Sequence, residues 1–169
     1  EKAHLGGVCL TEGCIPSKTL LNCAKRYRHA LDSQAYGVTA ENVSFDLSTA
    51  MARKQKIIET LRRGSESSKK KLKVPVVFEE ARILGSENGL VRVEAGDTVY
   101  EGKRLLVTTG SEAIRPPIPG ADQDFVYTNR EILSAQTIPE KLVIVGGGVI
   151  GLEFATLFAE IGSEVTVIE

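Results

Sequence analysis

Two cysteines stand with four residues between them in GGVCLTEGCIPSK, Gly6 to Lys18. Cys9 and Cys14 could serve as half of a metal clip, as a structural staple, or as a dithiol that exchanges electrons. A structural zinc site takes four ligands, often in C-x2–4-C pairs. The further candidates are Cys23, His4 and His29, with no second pair among them. Cys23 falls beside an apolar helical stripe and reads as a small packed residue, and the two histidines read as isolated, solvated imidazoles. The zinc set is short, and no metal is expected. A purely structural disulfide would close a short loop and recover little loop entropy. An exchanger needs a stabilised thiolate. Cys14 stands where a helix is predicted to begin, and the helix dipole there lowers a thiol's pKa. Lys18 lies one turn further on the same face and adds a second positive influence. The residues alone leave staple and exchanger both open.

A second stretch carries a different chemistry: KLVIVGGGVIGLEFATLFAEIGSEVTVIE, Lys141 to Glu169. Leu142–Val145 reads as a buried strand, followed by Gly146, Gly148 and Gly151 in G-x-G-x-x-G spacing. A helix follows to about Ile161, a turn at Gly162, and a strand over Val165–Ile168. In such a unit the first glycine permits a tight turn, the second lets a pyrophosphate approach the backbone, and the third lets helix and strand pack closely. The helix N-terminus offers free N–H groups and a partial positive charge to phosphate. Glu169, 18 residues after Gly151, stands where an acid binds a ribose 2′-hydroxyl. Its charge would repel a 2′-phosphate, which favours NAD over NADP.

The elements that must position these groups are legible around them. Pro16 suits the first turn of the cysteine helix, where its missing N–H costs nothing. Leu20, Ala24, Tyr27 and Leu31 then recur at helical spacing. AYGVTAENVSFD is a connection. Ser44 or Asp46 can cap a second helix, with Leu47, Met51, Ile57, Ile58 and Leu61 inward and Gly64 as an interruption. The basic run Lys69–Lys73 reads as a solvated helix C-terminus that complements the dipole. From Val74 the period changes to two: VPVVFEEARIL, GLVRVEA and VYEGKRLLVTTG predict an antiparallel meander whose last strand covers Arg104–Thr109. Asn88-Gly89 is a hairpin signal. PPIPG, Pro116–Gly120, is an extended turn. The predicted division is 1–120 for a first domain, 121–140 for a linker, and 141–169 for the start of a second.

The bulk numbers bound the partners. A net charge of −1 over 169 residues provides no field for nucleic acid or membrane. With 42% hydrophobic and 25% charged residues the composition is that of a globular domain. Three cysteines are too few for a secreted disulfide scaffold. The chain opens on EKAHLGG and closes on EVTVIE, so both ends are expected to be cuts through a longer protein.

Together, GGVCLTEGCIPSK, LLVTTGS, PPIPG and PEKLVIVGGGVIGLEFA, in this order, resemble the flavin-dependent pyridine nucleotide–disulfide oxidoreductases of class I. The resemblance covers essentially the whole chain. It implies an α/β fold of the FAD/NAD(P)-binding, Rossmann-like kind, a doubly wound sheet with an antiparallel meander, incomplete at both ends. The first domain would then be part of the FAD-binding domain and the second the start of the NAD-binding domain. Cys9 and Cys14 would form a redox-active disulfide, Cys9 being the interchange thiol and Cys14 the thiolate beside the flavin. Lys18 would sit near the flavin, paired with Glu153. FAD contacts would fall on Gly6, Gly7, Val8, Thr109 and Gly110, and Glu1 would hold the adenosine ribose of FAD as Glu169 holds that of NAD.

Within the family, CIPSK and Glu169 favour the members that oxidise dihydrolipoamide with NAD⁺. The implied partners are the lipoyl domain of a 2-oxo acid dehydrogenase or glycine cleavage complex, and a second copy of the full-length protein. The implied compartment is the cytoplasm of a bacterium or the mitochondrial matrix of a eukaryote. The alternatives are a reductase of the glutathione or mercuric type, or a non-catalytic nucleotide-binding or redox-sensing module. The family's acid/base histidine belongs to a domain beyond Glu169, so this segment alone is expected to lack turnover and to bind FAD poorly. Four positions depart from the family's pattern: Thr11-Glu12 replace an Asn–hydrophobe pair, Val8 replaces a threonine, Thr108 an alanine, and Glu80 a glycine.

Overall fold

The computed structural model describes Glu1 and residues 3–169. The chain divides into two compact units. The first comprises Glu1–Gly7 and Thr60–Ser111, the second Val8–Glu59 and Glu112–Glu169.

The second unit holds the cysteine pair and the glycine turn. Helix α1, Gly7–Glu12, is followed after one residue by α2, Cys14–Leu31. Only the second of these was expected. Gly6 and Gly7 have φ of 125° and 66°, values that favour glycine, and Gly13 breaks the chain again before α2. A helix of six residues is too short to show a period, which is why α1 was not legible. Helix α3, Leu47–Lys71, starts at Asp46 and belongs to the second unit as far as Glu59. The Asp46 carboxylate accepts from the backbone N–H of Ser48 (2.9 Å) and Thr49 (3.3 Å) and from both hydroxyls. That is the N-cap chemistry expected of it.

Gly64 does not interrupt α3, contrary to expectation. A single helical glycine costs only about 1 kcal/mol, and the helix runs on to its terminal lysines, Lys69–Lys71. The inward face of α3 buries Ile58 as expected and half-buries Leu47, Met51 and Ile57, but it also buries Ala50 and Lys54 and leaves Leu61 exposed.

Strands β4, Lys141–Val145, and β5, Glu164–Ile168, pair in parallel with Leu142 opposite Val165. Helix α4, Val149–Glu160, connects them. This is the βαβ unit the glycine spacing predicted. The core gathers Leu20 and Ala24 of α2, Ala50 of α3, Ile132 and Leu133, and Phe154, Leu157, Phe158 and Ile161 from α4 and its end. Cys23 and Tyr27 pack against this cluster, and Leu31, at the end of the α2 stripe, is exposed.

The first unit is built on a meander: β1, Ala81–Glu87, β2, Leu90–Ala95, and β3, Thr98–Gly102, all antiparallel. Glu87 pairs with Leu90 across Asn88 and Gly89, whose φ values of 52° and 77° are those of a two-residue hairpin turn. Residues 74–80 precede β1 without forming a strand. The strand expected over Arg104–Thr109 is likewise absent. Leu105, Leu106 and Val107 have strand composition and are exposed, but β3 pairs only with β2 and offers them no ladder. Among the described residues no helix is long and apolar enough to cross a membrane.

Candidate active site

Cys9 and Cys14 are joined by a disulfide, with Cα atoms 4.6 Å apart, in the range such bridges require. Cys9 lies in α1 and Cys14 is the first residue of α2. The four-residue spacing therefore brings one helix's side chain to the next helix's N-terminus. Gly13, at the N-cap, has no side chain with which to occupy the first-turn N–H groups. Those groups and the dipole of an 18-residue helix act at Cys14. Both cysteines are exposed. The third cysteine, Cys23, is free and half-buried within α2. Among the described residues no cluster of three or more His, Cys, Asp and Glu is placed to hold a metal.

Lys18, one turn after Cys14, donates from Nζ to Oε1 of Glu153 in α4. Helices α2 and α4 pack directly on one another, so the ion pair ties the helix that begins at Cys14 to the helix of the glycine turn.

The glycine turn has the shape of a phosphate cradle. Gly146 has φ of 106°, which favours glycine. A Cβ on Gly148 would meet nothing within 4 Å, so its backbone is open to a ligand. A Cβ on Gly151 would fall 2.2 Å from the carbonyl oxygen of Gly146, so only glycine fits between helix and turn. Gly148 is the N-cap of α4, no acid lies in the helix's first turn, and the first-turn N–H groups have no intrahelical acceptor. The carboxylate of Glu169 accepts from the N–H of Gly147 and so stands beside the turn, at the end of β5. These residues fit a dinucleotide.

The residues that the resemblance assigns to FAD lie in both units. Val8 is half-buried in α1. In the first unit, Gly7 has open space where its Cβ would be, Gly110 has φ of 83°, and Thr109 is exposed beside it. Glu1 accepts from the N–H of Ala3 (3.2 Å), and its backbone nitrogen donates to Val77 O (3.1 Å).

Three sets of contacts in the second unit were not read from the sequence. Glu12, one of the departures from the family pattern, pairs with Arg130 Nε at 2.8 Å. Lys54, buried in α3, donates to Leu133 O at 2.5 Å, and desolvation lowers its pKa. Arg115 donates to Ala121 O and Val126 O (both 2.9 Å) and to Glu131 (2.8 Å), bracing the turn after PPIPG. The one signal available was TNRE, Thr128–Glu131, which has capping-box spacing. Thr128 N–H donates to Glu131, and Arg130 N–H to Thr128 Oγ1.

A dithiol–disulfide centre at a helix N-terminus, packed on a dinucleotide-binding βαβ unit, defines a nucleotide-dependent disulfide oxidoreductase. The family model described as pyridine nucleotide-disulphide oxidoreductase matches residues 2–169, and the chain belongs to that family, whose members use FAD and NAD(H). The chain is 41% identical over 172 residues to a dihydrolipoyl dehydrogenase of Bacillus subtilis (strain 168), covering all of this chain and 37% of the relative. It is 39% identical over 171 residues to the mitochondrial dihydrolipoyl dehydrogenase of Pisum sativum, covering all of this chain and 34% of that one. Among solved structures it is similar to the HOCl-induced flavoprotein disulfide reductase RclA of Escherichia coli, with a TM-score of 0.76 and 31% identity over all of this chain and 35% of that one. The chain thus spans little more than a third of these relatives.

Proposed function

We propose that the chain is the portion of an NAD-dependent dihydrolipoyl dehydrogenase that carries the redox-active disulfide and opens the NAD site. The observation that carries this reading is the packing of α2, which begins at Cys14, on α4, which begins at the glycine turn, with Lys18 and Glu153 paired between them. Sulfur chemistry and nucleotide binding are built on adjoining helices.

In this reading Cys9, exposed in α1, exchanges with the substrate dithiol, and Cys14 holds the thiolate under the α2 N-terminus. Lys18 contributes positive charge one turn away, and Glu153 holds that side chain in place. Gly146, Gly148 and Gly151 receive the pyrophosphate of NAD, and Glu169 a ribose. Glu1, Gly6, Gly7, Val8, Lys18, Thr109 and Gly110 are assigned to FAD by the resemblance. When bound, FAD and NAD⁺ supply electron and hydride acceptance. The sequence identity to dihydrolipoyl dehydrogenases supports a lipoyl-domain substrate; a dimeric full-length protein and a cytoplasmic or mitochondrial-matrix site of action are what the family resemblance implies. The acid/base histidine is assigned outside residues 1–169, so the 169-residue chain by itself is expected to give no lipoamide turnover.

The test is Cys14→Ser in the complete, flavin-loaded protein. Loss of dihydrolipoamide oxidation and of the long-wavelength charge-transfer absorbance, with FAD retained, supports the reading. Retained turnover sinks it. Turnover of a glutathione-type or metal-ion substrate in place of dihydrolipoamide moves the protein to another branch of the family.

A further inference from the structure

The segment between the two cysteines carries a charge that disulfide exchange does not require. Glu12 closes α1, three residues after Cys9 and two before Cys14. Helical residues three apart share a face, so the Glu12 carboxylate stands on the Cys9 side of α1. A carboxylate there opposes formation of a thiolate on either sulfur. The structure answers that charge with Arg130, whose Nε lies 2.8 Å from Glu12 Oε2. Arg130 is held in place by its own neighbours: its N–H donates to Thr128 Oγ1, Thr128 N–H donates to Glu131, and Glu131 is in turn held by Arg115. The two side chains are 32% (Arg130) and 45% (Glu12) exposed, so burial does not account for their meeting.

We propose that Glu12 and Arg130 are a positioning pair that sets the thiolate balance of the Cys9–Cys14 couple. The proposal rests on the reading that this couple cycles between disulfide and dithiol. Reduction by a dithiol breaks the Sγ–Sγ bond of Cys9–Cys14 and closes one in the reductant. Two electrons and two protons pass to the cysteines, and one thiol then releases its proton to solvent. Arg130 cancels the carboxylate that would hinder this last step. Without Arg130 the reduced state is disfavoured and the disulfide is harder to reduce; without Glu12 that carboxylate no longer opposes the thiolate and the reverse holds.

The experiment uses the complete, flavin-loaded protein in a Cys23→Ser background, with alkylation read at Cys9 and Cys14 by peptide mass spectrometry. The protein is reduced with excess dithiothreitol, and the rate of iodoacetamide alkylation is followed against pH. The midpoint of the couple is measured separately in dithiothreitol redox buffers. Arg130→Gln is expected to lower the thiolate fraction at fixed pH by about threefold and Glu12→Gln to raise it by about as much, as suits a partly exposed pair. The double variant is expected near the starting protein. Arg130→Lys, which keeps the charge, is expected to keep the alkylation profile, and it tests the proposal even where Arg130→Gln fails to fold. Shifts of the same sign in both single variants, or unmoved profiles with only a lower melting temperature, overturn the proposal and leave the pair a structural tie. A couple that dithiothreitol never reduces overturns the underlying redox reading instead.

Discussion

Lys18 and Glu153, 135 positions apart in the chain, meet as an ion pair that joins α2 to α4. Their side chains are 61% and 26% exposed, so the pair adds little to stability. Lys18→Met is expected to lower the unfolding free energy by no more than about 1 kcal/mol, read by urea denaturation. The same variant is expected to lower the thiolate fraction of the reduced cysteines several-fold at neutral pH, read by alkylation. A large stability loss with unchanged alkylation would assign the pair to packing alone.

Gly148 and Gly151 separate binding from folding. Gly148→Ala places a methyl in open space at a backbone conformation any residue adopts, φ −67° and ψ 174°. The fold is expected to keep its melting temperature while NAD affinity falls, since the methyl occupies the approach of the pyrophosphate. Gly151→Ala drives a Cβ against the carbonyl of Gly146 and is expected to cost about 1–3 kcal/mol as well. Thermal unfolding alongside NAD titration distinguishes the two.

Asp46 gives the protein an acid-sensitive cap. Hydrogen bonds from Thr49 and Ser48, the Thr49 hydroxyl foremost, hold its pKa at about 2, below the ordinary 3.8. A carboxylate with a depressed folded pKa stabilises the fold above its unfolded pKa and loses that contribution as pH falls through the folded value. Asp46→Asn is therefore expected to flatten the decline in melting temperature between pH 4 and pH 2.

Lys54 is a buried cation held by one carbonyl, Leu133 O. Lys54→Ala removes a charged donor from that carbonyl and is expected to cost about 2 kcal/mol, measured by denaturant unfolding. Burial lowers its pKa from 10.5. The unfolded chain thus binds the proton more tightly, and stability contributed at this site rises as pH climbs toward 10.5. The variant is expected to lose that slope.

The βαβ unit was legible because each of its parts has a local cause: an apolar run, glycines at fixed spacing, and a terminal acid at Glu169. The Asn88-Gly89 hairpin and the Asp46 cap were legible for the same reason. Helix α1 was not, since six residues carry no period. The expected break at Gly64 was a local cost overridden by the rest of a 25-residue helix. The strand expected over Arg104–Thr109 failed because a strand needs a partner as well as a composition. Lys18 with Glu153 was legible only through the family resemblance. Glu12 was visible as a departure, but its partner Arg130 is 118 positions away, and no local rule connects them.

The meander makes contacts of a different kind. In β1, β2 and β3 every strand pairs only with its neighbour in the chain, and the first hairpin closes through a two-residue turn. Such contacts demand almost no loop closure, and hairpins form in about 1–10 μs. The bond between Lys18 and Glu153 must wait until residues through α4 have been made. During synthesis the meander can therefore assemble while α2 still lacks the helix it packs on. For that interval the apolar face of α2, with Leu20 and Ala24, has no cover from α4, and the nascent chain carries its thiols before it has a complete core to hold them.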